Sequence, residues 1–129
     1  MSYADDSEDL GLLYDYMENE TFDSFIKKFS ADSLFQASRI TFPVRHIQQF
    51  SSAQKIEGWI EEKDWWRVIF EDSKDFNLRY FNRRRENALS QGVVETTNLE
   101  TNLKTDYVFE LENGEWFLKE MKEVGNASK

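Results

Sequence analysis

The sequence predicts one α+β domain in which N-terminal helices pack on one face of an antiparallel sheet. A helical apolar pattern lies in the first third of the chain, and alternating strand patterns fill the last third. Between two of these alternating runs lies Asn113-Gly114, the strongest short signature of a β-hairpin. With 129 residues, 40% of them hydrophobic, the chain has enough material for one core.

The first helix is predicted from apolar residues spaced i, i+3, i+4 and i+7, namely Phe22, Phe25, Ile26 and Phe29. Thr21 precedes this run and is a suitable N-cap. A shorter helix is predicted to restart at Ser30 or Asp32 and to continue to about Ser38. The aromatic stripe of the first helix indicates core packing and not a cofactor site.

Several strands are predicted in the middle of the chain. Alternation over residues 40–44 predicts a strand, and Pro43 places it at an edge or breaks it, because proline lacks a ladder donor. Residues 48–54 are predicted as a loop or a continuation, and residues 56–60 as a strand in which Gly58 permits a bulge or a close approach. Asp64 is predicted to cap a turn holding Trp65 and Trp66. A further strand is predicted over residues 76–80.

The C-terminal third predicts strands over residues 92–99 and on both sides of Asn113-Gly114, with a turn at 98–102. A two-residue turn sets the pairing register of the hairpin. The predicted pairs are Leu111 with Trp116, Phe109 with Leu118, Tyr107 with Glu120, and Val108 with Lys119.

The negative charge is concentrated near the N-terminus. Residues 1–24 hold eight acidic residues and no basic one, although the chain as a whole has 25 acidic and 16 basic residues. The predicted organisation is an acidic, partly disordered leader (1–18), a single domain (19–124) and a frayed tail (125–129). A net charge of −9 opposes binding to nucleic acid, whose phosphates require a basic surface.

Composition excludes further classes of site. The chain has no cysteine and one histidine, His46, so disulfides, thiolate metal sites and two-histidine zinc motifs are excluded. No metal site and no cofactor loop are predicted. No window has the roughly 18 apolar residues of a membrane span, so no transmembrane segment is predicted. No signal peptide follows Met1, so the protein is expected in the cytoplasm if Met1 is the native start.

A family resemblance is carried by residues 21–44, by Trp65 and by the run 113–118. Within it the pattern Phe35-Gln36, Arg39-Ile40, Phe42-Pro43 is the most specific part. The chain resembles a Bacteroidetes domain-of-unknown-function family of small, mostly exported or lipid-anchored proteins with an NTF2-like (cystatin-like) fold. The resemblance covers about residues 20–122 and implies a location in the cell envelope or periplasm. It supplies no catalytic residues. A lipid anchor is expected only if a segment carrying the lipoprotein cysteine and signal was removed ahead of Met1, since this sequence has neither.

Two clusters are candidate ligand sites. The aromatic candidates are Trp59, Trp65, Trp66 and Tyr80, because the resemblance implies a cone-shaped sheet whose open end accepts apolar ligands. The alternative is that these rings fill the cone or close an interface. The anion-binding candidates are Arg79, Arg83, Arg84 and Arg85, since guanidinium groups bind carboxylate or phosphate in bidentate fashion. A solvated surface run is the alternative.

His46 is the one residue that suggests acid–base chemistry. A general base needs a partner acid and a pocket, and the sequence shows neither, so a histidine at a strand end is the simpler interpretation. No catalytic residue is therefore assigned.

We expect a non-enzymatic binding or interaction module of the bacterial cell envelope, with a protein or small-molecule partner. The first alternative is a small NTF2-like enzyme, an isomerase or hydrolase with acid–base residues in the cone. The second is an acidic immunity or inhibitor protein whose leader imitates a polyanion. The oligomeric state is left open, with a dimer among the alternatives.

Overall fold

The computed structural model describes residues 20–51, 54–71, 74, 76–84 and 90–125, with the side chains of residues 51, 83, 84 and 90 left out. The helices are α1 (Phe22–Ala31) and α2 (Ser33–Ser38), and a 3-10 turn spans Glu62–Asp64. The strands are β1 (Ile40–Ser51), β2 (Gln54–Ile60), β3 (Phe76–Arg84), β4 (Ser90–Asn98), β5 (Lys104–Glu112) and β6 (Glu115–Val124). In these ranges, neither helix has the length and apolar character needed to span a membrane. The predicted leader and the last four residues of the predicted tail lie outside them.

The strands form one mixed sheet in the order β2-β1-β6-β5-β4-β3. All neighbours are antiparallel except β1 and β6, so the prediction of a wholly antiparallel sheet is wrong at this pair. Of the two alternatives predicted at Pro43, an edge strand does not apply, because β1 lies between β2 and β6. The predicted break is present: the register with β6 shifts between Ile40 and Arg45, which accommodates the missing N–H of Pro43.

Both helices begin at capping side chains. The Thr21 hydroxyl accepts a hydrogen bond from Ser24 N at 3.3 Å, as predicted for the first helix. Asp32 Oδ1 accepts from the backbone N–H groups of Leu34 and Phe35, both at 3.0 Å. The second helix therefore restarts at Asp32 and not at Ser30, because the Asp32 carboxylate satisfies two N–H groups of the new first turn.

Aromatic packing joins α1 to the sheet. The fully buried Phe109 of β5 has its ring centroid 5.5, 5.4 and 5.3 Å from those of Phe22, Phe25 and Phe29, each in a tilted or edge-to-face arrangement. Aromatic pairs of this geometry contribute about 0.5–1.5 kcal/mol each beyond the burial of their area. The predicted apolar stripe of α1 is thus the helix side of the core.

A buried amide connects α2 to the segment before β3. Gln36 Nε2 donates to the carbonyls of Phe29 (2.8 Å) and Val68 (2.7 Å), and Gln36 Oε1 accepts from Val68 N (2.9 Å) and Trp65 Nε1 (3.3 Å). Every hydrogen-bonding group of this amide is satisfied, as burial demands. Residues 65–70 form no strand, so Gln36 replaces the ladder that would otherwise hold them.

The predicted hairpin forms, with one change of register. Asn113 and Gly114 both have positive φ (50° and 81°), and the pairs nearest the turn match the prediction. A bulge at Val108/Phe109 then gives β6 an extra residue. Tyr107 consequently pairs with Met121 and not Glu120, and Val108 pairs with Glu120 and not Lys119. The bulge brings the apolar Met121 onto the core face. In an unbroken register, Glu120 would occupy that position.

Two smaller predictions are also wrong. Gly58 forms no bulge and approaches nothing, since a Cβ at this position would have no heavy atom within 4 Å. Asp64 ends its 3-10 turn and does not cap a following one, so Trp65 and Trp66 lie after the turn in extended chain. The short turn ends there because the backbone N–H of Trp65 closes it on the carbonyl of Glu62, at 3.2 Å.

Candidate functional site

The inner face of the sheet, defined here as the face that packs against the helices, carries a row of polar residues across its strands. The register places six residues side by side, one per strand. The four on the inner strands are polar and the two on the edge strands are apolar, in the order Ile56, Gln48, Glu123, Thr105, Thr96 and Leu78. We call this the polar row. The next row towards the helices is Gly58, His46, Met121, Tyr107, Val94 and Tyr80, which we call the second row. Tyr107 and Val94 belong to the buried core, and this fixes both rows on the inner face.

The polar row lies at the end of the sheet away from the helices. The chain leaves α2 directly into β1, where Leu118 N donates to the carbonyl of Arg39 at 2.8 Å. From there β1 and β6 run in parallel towards Gln48 and Glu123. The helices thus cover the beginning of these strands, and the polar row is at their other end.

His46 and Glu123 form a close pair at this end. His46 Nε2 lies 2.7 Å from Glu123 Oε1, and Gln48 Nε2 donates to the same oxygen at 3.1 Å. The side chains of His46 and Glu123 are only 21% and 19% exposed. Within the described ranges, Glu123 Oε2 has no hydrogen-bond partner. Oε2 of this carboxylate can therefore still accept a hydrogen bond from another group.

Tyr107 stands beside this pair on β5 and is 8% exposed. Burial, together with the negative charge of Glu123, raises the pKa of Tyr107 to about 12. Its ring meets that of Phe70 edge to face, with centroids 4.9 Å apart. No described side chain hydrogen-bonds the Tyr107 hydroxyl. The phenol is thus a neutral, rigidly packed group with an unused polar tip.

A cavity of about 330 Å³ opens next to Tyr107. Its walls are mostly apolar, and the lining residues are Val68, Ile69, Phe70, Glu71, Phe76, Thr96 and Tyr107. Gln36 positions one wall by holding Val68 through its backbone. Thr96 and Tyr107 connect the cavity to the polar row and the second row. Glu71 is the single charged residue among these lining residues.

The outer face of the sheet is covered by ion pairs. Arg79 contacts Glu95 at 2.9 Å, and Arg45 contacts Glu57 at 2.6 Å and Glu120 at 3.4 Å. A second, shallower cleft of about 330 Å³ has Arg79 and Glu95 among its walls. Because these two charges already neutralise each other, this cleft has less to offer a ligand than the inner cavity.

The structure separates the four aromatic candidates. Trp59 is 64% exposed on the outer face of β2, whereas Tyr80 is on the inner face of β3 at the opposite edge of the sheet. Trp65 and Trp66 stack with centroids 5.8 Å apart, and Trp65 also packs on Phe42. These residues are not neighbours in one pocket, and none of them lines the inner cavity. The Tyr80 hydroxyl donates to Asp23 of α1.

Of the anion-binding candidates, Arg79 is in the ion pair with Glu95 and lies over the ring of Phe81. Arg83 and Arg84 belong to β3, but their side chains are outside the described part of the structure, as is the whole of Arg85. An anion site on these arginines stays a prediction.

His46 differs from its expected position. It lies inside β1 and not at its end, and it has the partner acid that the sequence did not reveal. The residues that the sequence did not single out as functional are Gln48, Thr96, Thr105, Tyr107 and Glu123. Strand alternation around the hairpin placed Tyr107 on the core face, but no local signal marks Glu123. Within the described ranges, no three carboxylates or histidines come together in a group that could hold a metal ion.

In the part of the chain that the structure describes, two short helices pack on one six-stranded mixed sheet, with a cavity beside Tyr107 on its inner face. The chain belongs to the family described as a domain of unknown function, DUF4348, whose model matches residues 13–127. This agrees with the resemblance noted from residues 21–44.

The fold is that of a solved NTF2-like protein. An NTF2-like protein from Bacteroides fragilis NCTC 9343 has a TM-score of 0.63 and 18% identity over 84% of this chain and 48% of its own. The present chain thus spans about half the length of that protein. An NTF2-like protein of unknown function from Shewanella baltica OS155 has a TM-score of 0.48 and 12% identity over 81% of this chain and 96% of its own. None of the curated proteins matches the chain.

Proposed function

We propose that this protein is a non-enzymatic binding module that takes a small, mainly apolar ligand at the open end of the inner face. The observation that carries the proposal is the cavity of about 330 Å³ beside Tyr107. Its composition fits: Val68, Phe70 and Phe76 supply apolar surface, while Thr96 and Tyr107 supply hydroxyls. Small-molecule sites combine an apolar lining with a few fixed polar groups in this way.

A fluorescence titration tests the proposal. N-phenyl-1-naphthylamine is uncharged and brightens in apolar surroundings, so it reports occupancy of the cavity without an electrostatic contribution. Thr96→Phe adds a ring at the cavity wall and is expected to weaken binding at least about tenfold, because it occupies the ligand's volume. The matched control is Thr97→Phe, the same change one residue along β4, where the side chain points to the outer face.

Unchanged binding in Thr97→Phe together with the loss in Thr96→Phe supports the inner cavity. Equal binding in both variants, or no binding to the wild-type protein, contradicts it. Thermal unfolding of both variants verifies that each is folded at the temperature of the titration.

A second candidate function is supported by the His46–Glu123 pair. A carboxylate 2.7 Å from an imidazole orients it as a general base, as in an isomerase that removes a proton next to a carbonyl group. A binding function is preferred over this enzymatic one because neither His46 nor Glu123 lines the cavity.

The enzymatic alternative is tested by deuterium exchange at the α-carbon of 4-phenyl-2-butanone, followed by NMR. Catalysed exchange that His46→Gln abolishes would favour the enzyme, and exchange at the uncatalysed rate would exclude it for this substrate class.

A location in the cell envelope is part of the proposal and rests on the family resemblance. Fractionation of cells producing the full-length gene product tests it: recovery with the periplasm or membrane supports the location, and recovery with the cytosol contradicts it. The alternative of an acidic inhibitor depends on the leader, residues 1–18, and stays a prediction.

A further inference from the structure

The charges around the inner cavity have one sign. Glu71 lines the cavity, and Glu123 lies on β6 beside the strand that carries Tyr107, paired with Thr105, without lining the cavity itself. No basic side chain is among the described lining residues. Burial, and after it the charge of Glu123, raises the pKa of the cavity residue Tyr107, so this carboxylate faces the same side of the sheet as the cavity. An anionic ligand would meet repulsion here, and a cationic one attraction.

Glu123 also has unused hydrogen-bonding capacity. Both His46 and Gln48 bind its Oε1, which leaves Oε2 without a partner among the described residues. Oε2 is therefore not neutralised by a hydrogen-bond donor of the described residues, and Glu123 keeps its negative charge towards the inner face. The neighbouring Thr105 and Tyr107 supply hydroxyls, which do not neutralise the charge.

The apolar walls are suited to a cation as well. Phe70 and Tyr107 are held edge to face, and Phe76 completes the aromatic part of the lining. Ring faces attract ammonium groups through the quadrupole of the ring, most strongly where water is excluded. Carboxylates and aromatic rings around one cavity are the combination that recognises an organic cation.

We propose that the cavity selects an organic cation, a small amphiphile whose protonated amine is attracted by Glu71 and Glu123 and whose apolar body lies against Val68, Phe70 and Phe76. This inference rests on the proposed binding function and adds the chemical class of the ligand. The net charge of the chain, −9, favours the approach of such a ligand over long range.

Three probes of matched shape test the inference: 2-phenylethylamine (cationic), 2-phenylethanol (neutral) and phenylacetate (anionic), titrated at neutral pH with binding measured by calorimetry. The amine is expected to bind at least about tenfold more tightly than the alcohol, and the anion more weakly than either. In Glu71→Gln/Glu123→Gln the preference for the amine is expected to fall to about threefold or less, while binding of the alcohol is unchanged.

The control is Glu57→Gln/Glu120→Gln, which removes the same number of negative charges from the outer face. It is expected to keep the preference for the amine. If the amine binds no more tightly than the alcohol, or if both double variants lose the preference equally, the cation site is overturned and the binding function stands. If neither the amine nor the alcohol binds, both the cation site and the proposed binding function are contradicted.

Discussion

The guanidinium of Arg39 binds both carboxylate oxygens of Glu20, with Nη1 2.5 Å from Oε1 and Nη2 2.9 Å from Oε2. Glu20 also accepts from Trp116 N at 3.1 Å, and its own carbonyl accepts from Trp116 Nε1 at 2.8 Å. Burial acts to raise the pKa of Glu20, but the hydrogen bonds from Arg39 and Trp116 outweigh it and hold that pKa below its ordinary value. Glu20, which lies two residues before α1, is thereby fixed to the start of β6.

Removing this arginine should destabilise the fold strongly. Arg39→Leu leaves the part-buried Glu20 carboxylate without its cation, and a loss of about 3 kcal/mol in the free energy of unfolding is expected. Urea denaturation measures it. Lys27→Ala breaks the exposed ion pair with Asp23 on α1 and should change the free energy of unfolding far less, because water and salt screen this pair. Similar losses in the two variants would show that Arg39 acts only as a surface charge.

Gly92 permits the closest approach between the sheet and α1. A Cβ at this position would lie 2.4 Å from Cε1 of Phe22, a ring that is itself packed among other aromatic rings. We expect Gly92→Ala to destabilise the protein by about 2 kcal/mol, and Phe22→Leu in the same chain to recover part of that loss. Gly58→Ala, with open space around its Cβ, should change stability by less than about 0.5 kcal/mol. A neutral Gly92→Ala in urea denaturation would contradict the packing of Phe22 described above.

Replacing Gln36 by leucine should release the segment that forms one wall of the cavity. The variant leaves the buried N–H and carbonyl of Val68 without their partners, which costs about 3 kcal/mol or more. Amide hydrogen exchange at Val68 is expected to accelerate much more than exchange at Val94 in the centre of the sheet. Equal acceleration at the two positions would indicate a general loss of stability and no specific role of the amide.

Alkaline pH should test the burial of Tyr107. Its pKa is raised from 10.0 to about 12, so its contribution to stability is fully present below pH 10 and is lost as the pH rises through 12. The raised pKa corresponds to about 3 kcal/mol. In Tyr107→Phe, the fall in the free energy of unfolding between pH 10 and pH 12 should be smaller by about 2 kcal/mol, because the full difference is reached only above pH 12. The same fall in both proteins would place the Tyr107 phenol in water.

Local patterns predicted the parts of the fold that depend on neighbours in sequence. The stripe of α1 and the Asn113-Gly114 turn were read correctly because their geometry is set within a few residues. The bulge opposite Val108 was missed, since only the core decides that Met121 and not Glu120 faces inward. For Pro43 the sequence left an edge and a break open, because both satisfy the same missing donor, and the register shift shows that the break applies.

The candidate site could be predicted far less well. His46 and Glu123 are 77 residues apart and meet because β1 and β6 are parallel neighbours, a long-range pairing that no local motif announces. The concentration of aromatic residues in mid-chain made Trp59 a ligand-binding candidate, but its side chain faces outward. The polar row becomes visible only when the register of all six strands is known.

Selective methyl labelling, followed by NMR during a titration with 2-phenylethylamine, tests most directly whether the inner face is the binding face. Thr96 of β4 and Met121 of β6 carry methyl groups on that face, whereas Thr97 of β4 and Val108 of β5 carry them on the outer face. Saturable shifts confined to Thr96 and Met121 are the predicted result. Shifts at Thr97 and Val108 with the inner methyl groups unchanged would contradict the account.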